Sequence, residues 1–257
     1  MADLALYQYV LIGLIFIWSG FVRSGLGFGG AVLSLPFLLL VHNQPLVFLP
    51  LISVQLLVFS SATLLVNNRG SQASKREHSS TVDWPYLRYM LGIMIVPKLL
   101  GVFGLITLPA DILSIIIFSI VSLYALSYIA NKPFKSNSKL IDAVFLILGA
   151  YISGTSLIGA PLIIAVAAQH IARERLRDTL FALWFILVSI KLVAFIYAGI
   201  DLQLIHHLWL LPCAAIGHFI GLRFHQRMLI AETPIFFRIL GCTLLLISAI
   251  GLWKALS

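Results

Sequence analysis

The chain has 257 residues, of which 61% are hydrophobic and 10% are charged, and its formal net charge is +8. A typical soluble domain has about 25% charged residues, so the composition excludes an ordinary soluble protein. Long uncharged stretches recur along the whole chain, and we therefore predict an all-α polytopic membrane protein.

Ten apolar segments follow one another along the chain. Most have about 20 residues, enough for a helix to cross a hydrocarbon core of about 30 Å. Three are shorter, 28–42, 139–154 and 158–171, and the pattern leaves open whether these cross the membrane or dip partway into it. The ten segments are 4–22, 28–42, 45–66, 85–107, 109–130, 139–154, 158–171, 177–199, 203–222 and 234–256.

Basic residues are concentrated on one side of this arrangement. Thirteen of the 17 Lys and Arg residues lie in or beside the connections 67–84, 131–139, 172–178 and 223–238, which share a side in the ten-segment count. The positive-inside rule makes this side cytoplasmic and places both termini outside the cell membrane. We expect these loops to contact anionic lipid headgroups, so the charge requires no nucleic-acid partner.

The sequence contains an internal repeat. Shifted by 129 residues, GFVRSGLGFGGAVL (20–33) aligns with GAYISGTSLIGAPL (149–162), with six identical positions. Each half holds five segments, and an odd number makes the second copy enter from the opposite side. We predict two inverted-topology repeats, 1–130 and 131–257, forming a single membrane domain in which the broken or re-entrant Gly-rich segments meet near the midplane.

Interrupted segments at corresponding positions of inverted halves indicate a central binding site. A helix begins after each Gly-rich stretch, and its first N–H groups lack intrahelical partners and favour an anion. Close packing of helices through small residues is the alternative, but it does not account for an arginine among the glycines. The candidate substrate-binding residues here are Arg23, Ser24, Gly25, Gly27, Gly29, Gly30, Ser153, Gly154, Thr155, Ser156 and Gly159.

Three cations, Arg23, Lys98 and Lys191, lie within apolar segments, with no Asp or Glu deep in any segment to pair with them. Each costs about 2.5–3.5 kcal/mol near a helix centre. We therefore predict that the two lysines also bind the anion, together with Gln55. The alternative for the lysines is that they snorkel to the outer boundary.

A coupling ion, H⁺ or Na⁺, is the second expected partner. His218 is a candidate for binding H⁺ because imidazole titrates near neutral pH. A neutral histidine bonded across helices is the alternative. No motif indicates a cofactor, a metal site or catalytic residues, since HExxH, GxSxG and Walker sequences are absent from the chain.

The motif GxGxGGAxxxxP at 25–36, its relative at 149–162 and the VDW at 82–84 resemble the TauE/SafE family of membrane transporters. The resemblance extends over nearly the full length. It implies transport of small anions, with sulfite and organosulfonates as the named substrates, and it implies that the two Gly-rich stretches form the substrate region. The second stretch reads SLIGAP, without the family's glycine triplet.

The sequence thus predicts a secondary transporter, exporter or importer, of sulfite, organosulfonates or related sulfur oxyanions, and not an enzyme. An anion channel and a non-transport membrane assembly protein are the alternatives. Nothing in the sequence indicates the oligomeric state.

Overall fold

The structure is a computed structural model that describes residues 4–26, 30–73, 81–132, 134, 138–230 and 234–256. These residues form ten α-helices and no strand, in the order of the ten predicted segments, so the all-α prediction is confirmed. The helices are α1 (Leu6–Leu26), α2 (Gly30–Val41), α3 (Pro45–Ala73), α4 (Trp84–Thr107), α5 (Ala110–Ile129), α6 (Lys139–Ser156), α7 (Ala160–His170), α8 (Arg173–Tyr197), α9 (Leu204–Ile230) and α10 (Pro234–Leu256).

Eight of the described helices are long and apolar enough to cross a membrane. The other two, α2 and α7, have 12 and 11 residues. At 1.5 Å per residue they extend only about 16–18 Å, roughly half of a hydrocarbon core. The chain is therefore a multi-pass membrane protein with two half-length helices.

The prediction that 139–154 is a short segment is wrong. Helix α6 continues to Ser156 and has 18 residues, which is long enough to cross. The apolar run ends before the polar residues Thr155 and Ser156, but their hydroxyls donate to the carbonyl of Ile152 at 3.0 and 2.9 Å. Such bonds to the preceding turn let Ser and Thr remain inside a helix.

The assignment of 172–178 to a loop is also wrong, because α8 begins at Arg173. The basic residues Arg173 and Arg175 are exposed in its first turn. An apolar run marks where a helix enters the membrane, whereas the helix itself extends into the polar layer. Helices α3 and α9 likewise extend beyond their apolar runs, to Ala73 and Ile230.

The short helices belong to two hairpins, α1–α2 and α6–α7. At the base of the first, the side-chain amide of Gln8 donates to the carbonyl of Val41 at 2.9 Å. At the base of the second, Nε2 of His170 lies 2.9 Å from a carboxylate oxygen of Asp142. Each short helix therefore returns to the end of the molecule from which its hairpin entered.

The two hairpins open at opposite ends of the molecule. Tyr86, in the first turn of α4, stacks on His170 with ring centroids 5.2 Å apart. Beyond the other end of α4, Asp111 accepts a hydrogen bond of 3.0 Å from Asn43, which follows α2. Helix α4 has 24 residues and so separates these two contacts by about 36 Å.

The main helix contacts pair α1 with α9, α4 with α6, α3 with α8 and α5 with α10. Exchanging the two predicted halves would convert the α1–α9 pair into α6–α4 and leave the other two pairs unchanged. These pairings agree with the internal repeat, which stays a prediction, as does the division at residue 130.

Candidate functional site

A cavity lies where the two hairpins meet. The ends of α1 and α6, the starts of α2 and α7, and the inner faces of α3 and α8 line it, through Arg23, Gly30, Ala31, Val32, Leu56, Ser153, Leu157, Ala160, Phe181, Trp184 and Val188. The volume that the centre of a water-sized sphere can occupy in this cavity is about 40 Å³. One water molecule needs about 10–15 Å³ on the same measure. The cavity therefore has room for a few waters or one compact anion.

The second break is built from Leu157 and Gly159. Leu157 ends α6 in the left-handed conformation, with φ 62° and ψ 5°, and its N–H donates to the carbonyl of Ser153. Such a conformation costs a non-glycine residue about 1–2 kcal/mol. Gly159 is the N-cap of α7, and Pro161 lies in the first turn, where a missing N–H is tolerated. The first break, which includes Gly27 and Gly29, lies outside the described residues.

Arg23 supplies the charge at the cavity. Its side chain is 3% exposed, and its guanidinium carbon lies 5.6 Å from the ring centre of Phe59 and 5.5 Å from that of Phe181. One terminal nitrogen, Nη2, donates to the hydroxyl of Ser60 at 3.3 Å. The other, Nη1, is buried and has no hydrogen-bond partner among the described residues. The guanidinium therefore keeps one donor group free for a ligand.

Lys98 and Lys191 do not line the cavity but lie directly behind Ser153, which does. The ammonium nitrogen of Lys98 donates to the carbonyl and hydroxyl of Ser153 at 2.9 and 3.0 Å, and that of Lys191 is 3.5 Å from the same carbonyl. Both side chains are 0% exposed, so the snorkelling interpretation is wrong. Their position at the last turn of α6 matches the preference of cations for helix C-termini.

Ser24, Gln55 and His218 are not among the residues that line the cavity. The hydroxyl of Ser24 is hydrogen-bonded to Nδ1 of His218. The Gln55 side-chain oxygen accepts from Ser19 at 3.5 Å, and its Nε2 is buried without a partner among the described residues. These three side chains are neighbours of the site rather than part of its wall.

Thr155 and Ser156 are fully buried and are not among the lining residues. Their hydroxyl protons are already donated to the Ile152 carbonyl. These two residues therefore stabilise the end of α6 and offer no donor to a ligand.

The glycines of the second stretch are packing residues. A Cβ on Gly159 would collide with the carbonyl of Gly149, and a Cβ on Gly154 with the carbonyl of Lys98. Beside the first stretch, a Cβ on Gly221 of α9 would approach the backbone of Phe21 and Gly25. Gly30 differs in that it lines the cavity, and a Cβ there would make tight contacts of 3.1 Å with Cβ of Arg23 and 3.2 Å with the carbonyl oxygen of Ser19 rather than a collision. Close helix contact thus explains most of the glycines, and Gly30 faces the site.

Several wall residues were missed by the sequence analysis. Phe181, Trp184 and Val188 on α8 and Leu56 on α3 are apolar residues in apolar helices, which carry no signal of their own. Ser60 was detectable, because it is a polar residue inside an apolar run, but its partner Arg23 is 37 residues away in sequence.

Comparison with known proteins identifies the family of the chain. Residues 11–252 match the model of the sulfite exporter TauE/SafE family. The chain therefore belongs to the TauE/SafE family, whose members are membrane transporters of sulfur-containing anions and not enzymes. Searches of curated proteins and of solved structures found no match.

Proposed function

We propose that the protein is a secondary transporter of a small sulfur oxyanion or organosulfonate, such as sulfite, and that the anion binds in the cavity between the two breaks. The observation that carries this proposal is the buried Arg23, whose Nη1 has no partner among the described residues. No carboxylate is among the described residues that line this cavity. An anionic ligand is the partner that this guanidinium lacks.

The backbone adds donors to the same cavity. Gly30, Ala31 and Val32 open α2, and Ala160 opens α7, and all four line the cavity. The first N–H groups of a helix have no intrahelical acceptor, and the helix dipole gives this end a partial positive charge. Two helix starts and one guanidinium therefore converge on one small space, which suits an oxyanion with several acceptor oxygens.

The wall also limits which anions fit. Phe181, Trp184 and Val188 give one side of the cavity an apolar surface. A compact oxyanion places its charged oxygens toward Arg23 and the helix starts, and the short apolar part of an organosulfonate would contact this surface.

A carrier mechanism is supported by the two hairpins that enter from opposite ends. Broken segments in inverted halves are the usual substrate site of secondary transporters, and rocking of one half against the other exposes the site to each side in turn. In this proposal the basic loops face the cytoplasm and both termini lie outside.

A thermal-shift screen of the purified protein tests the proposal. We expect sulfite, thiosulfate, sulfate, sulfoacetate or taurine to raise the unfolding midpoint, since a ligand at 100 times its Kd adds about 2.7 kcal/mol to stability. Short carboxylates serve as comparison ligands. A protein that responds to none of the sulfur anions, or that responds most strongly to the carboxylates, would contradict the proposal.

A further inference from the structure

Two lysines from different helices meet at a single carbonyl oxygen. Lys98 on α4 and Lys191 on α8 both donate to the backbone oxygen of Ser153, at 2.9 and 3.5 Å. Both are 0% exposed, although lysine is almost never fully buried without a partner. The two amines are therefore close neighbours in an interior without water contact.

No carboxylate among the described residues faces this pair. On α6, Asp142 lies 11 residues before Ser153, about 16 Å along the helix, and it pairs with His170 of α7. On α8, Arg177 and Asp178 lie at the far end of the helix from Lys191.

Apart from Arg23 of α1, which lines the same cavity as Ser153, the remaining described helices add no charged side chain near the pair. Helix α3 has no Lys, Arg, His, Asp or Glu between residues 45 and 63, and on α4 the titratable side chains Tyr86, Arg88 and Tyr89 lie at its beginning. The phenol of Tyr151, near Gly104, is the other titratable group on the neighbouring part of α6. Each lysine thus has the other lysine as its nearest charged group.

Protonating both lysines beside one buried carbonyl is unfavourable in free energy. Like charges that share a buried site disfavour double ionisation, and a buried lysine readily becomes neutral. One ammonium is accommodated by the C-terminal carbonyl of α6 and by the ring of Phe195, whose centre lies 5.8 Å from the Lys191 nitrogen. The surroundings of Lys98 and Lys191 therefore suit a pair in which one lysine is an ammonium and the other is a neutral amine.

We propose that Lys98 and Lys191 form a proton-binding site that couples H⁺ to the movement of the anion. The pair holds one proton when the cavity is empty and takes up a second when an anion fills it, because the negative charge then offsets the repulsion. This inference rests on the proposed transport function. For a monovalent anion, the loaded carrier moves one anion with one H⁺ and no net charge.

The route for this proton is present in the structure. Ser153 lines the cavity, and its hydroxyl accepts a hydrogen bond of 3.0 Å from Lys98. When Lys98 is the neutral amine, its nitrogen lone pair turns toward Ser153 and the hydroxyl becomes the donor. A hydronium ion in the cavity then gives its proton to the Ser153 oxygen as the hydroxyl proton passes to Lys98. One O–H bond of the hydronium breaks, one N–H bond forms, and the serine hydroxyl is regenerated.

A related pair joins the end of α1 to α9. Ser24 is the repeat partner of Ser153, and it is hydrogen-bonded to His218. Lys98 precedes Gly101 by three residues, as His218 precedes Gly221, and these glycines contact the ends of α6 and α1 respectively. Because Lys98 has a second amine beside it and His218 does not, we assign the coupling proton to the lysine pair.

Two transport assays on proteoliposomes separate coupling from transport itself. The probe is radiolabelled thiosulfate or methanesulfonate, neither of which changes its charge across the assay pH, with the membrane potential clamped by K⁺ and valinomycin. Counterflow measures exchange of labelled for unlabelled anion and needs no net H⁺ movement. Uptake driven by a pH gradient measures coupling.

We expect the wild-type protein to perform counterflow and to accumulate methanesulfonate about tenfold per pH unit at equilibrium, as one H⁺ per anion requires. Lys98→Met and Lys191→Met should keep counterflow and lose pH-driven accumulation. Lys132→Met changes an exposed lysine in a connection and should behave as wild type.

Three results would contradict the coupling inference alone, and a fourth would contradict the proposed function as well. Wild-type counterflow that does not respond to a pH gradient would overturn the coupling inference and leave the proposed transport function standing. The coupling inference would also be overturned if the lysine variants keep pH-driven accumulation, or if His218→Gln alone loses pH-driven accumulation. Absence of counterflow with both probes in the wild-type protein would overturn both proposals.

Discussion

The buried cations inside the described helices differ in their hydrogen-bond partners. The amines of Lys98 and Lys191 both donate to the Ser153 carbonyl near the end of α6, whereas Arg23 has a free donor group beside a cavity. A buried donor left without a partner costs about 1–3 kcal/mol, and more when it is charged. A ligand that accepts from Nη1 recovers this free energy, which is why Arg23 and not the lysines is the expected primary ligand of the anion.

Replacing Arg23 is therefore expected to weaken anion binding directly. Arg23→Gln should reduce affinity by about 1.5–3 kcal/mol, the value of a charged hydrogen bond, which is roughly ten- to a hundredfold in Kd. Arg23→Lys should recover only part of this loss, because an ammonium lacks the planar fork that suits oxyanions. Isothermal titration calorimetry with the anion that gives the largest thermal shift measures both.

Arg223→Gln is a matched control, since Arg223 is exposed near the end of α9 and lies away from the cavity. Its affinity should equal that of the wild-type protein. If Arg23→Gln binds normally while Lys98→Met or Lys191→Met abolishes binding, the anion is held by the lysines, and Arg23 neutralises the carbonyl end of α1 instead.

Among the helices, the close approach of α6 and α7 depends on Gly159. A Cβ there would collide with the Gly149 carbonyl, which belongs to the backbone and cannot rotate away. We expect Gly159→Ala to lower the free energy of unfolding by about 1–3 kcal/mol, as overpacking usually does. The thermal midpoint of the purified protein, measured without ligand, reports this change.

Gly92→Ala is the matched control, because a Cβ at Gly92 on α4 has no atom within 4 Å. It should leave the midpoint unchanged or raise it, since Ala favours a helix over Gly by about 1 kcal/mol. If Gly159→Ala is as stable as Gly92→Ala but fails to bind the anion, Gly159 would have to contact the ligand rather than pack against α6.

Apolar runs predict the number and order of the helices well, because the membrane requires helices whose side chains are apolar. They predict helix ends poorly. The run that becomes α8 begins at 177, yet the helix begins at Arg173, because exposed charges in a first turn lie outside the hydrocarbon. For α6 the error has another cause, since the side chains of Thr155 and Ser156 bond within the helix instead of breaking it.

For the whole molecule, the site is predictable only in part. The conflict between Arg23 and its apolar surroundings was visible in the sequence, and so was the repeat that relates the two breaks. The contact of Lys98 with Ser153 joins residues 55 apart, and the apolar wall formed by Phe181 and Trp184 resembles every other apolar helix face. Such contacts depend on how the helices pack and leave no local pattern.

The orientation in the membrane gives a prediction at this scale. In a Cys213→Ser, Cys242→Ser background, a cysteine at exposed Ala198 should react with an impermeant thiol reagent in intact cells. A cysteine at exposed Lys132 should react only after permeabilisation. The basis is the excess of Lys and Arg in the loops on the side of Lys132. Labelling of Lys132→Cys in intact cells, with Ala198→Cys protected, would mean that the orientation is reversed.

The central claim is that the anion occupies the cavity between the two breaks, and protection of a cavity cysteine tests it most directly. Val188 lines the cavity and is close to cysteine in size, so Val188→Cys in the same background places a thiol in its wall. We predict that anion at ten times its Kd slows modification of this thiol by methyl methanethiosulfonate about tenfold, as mass action requires. The rate at Ala198→Cys should stay unchanged. An unchanged rate at Val188→Cys, with the anion shown by calorimetry to be bound to the same variant, would contradict the claim.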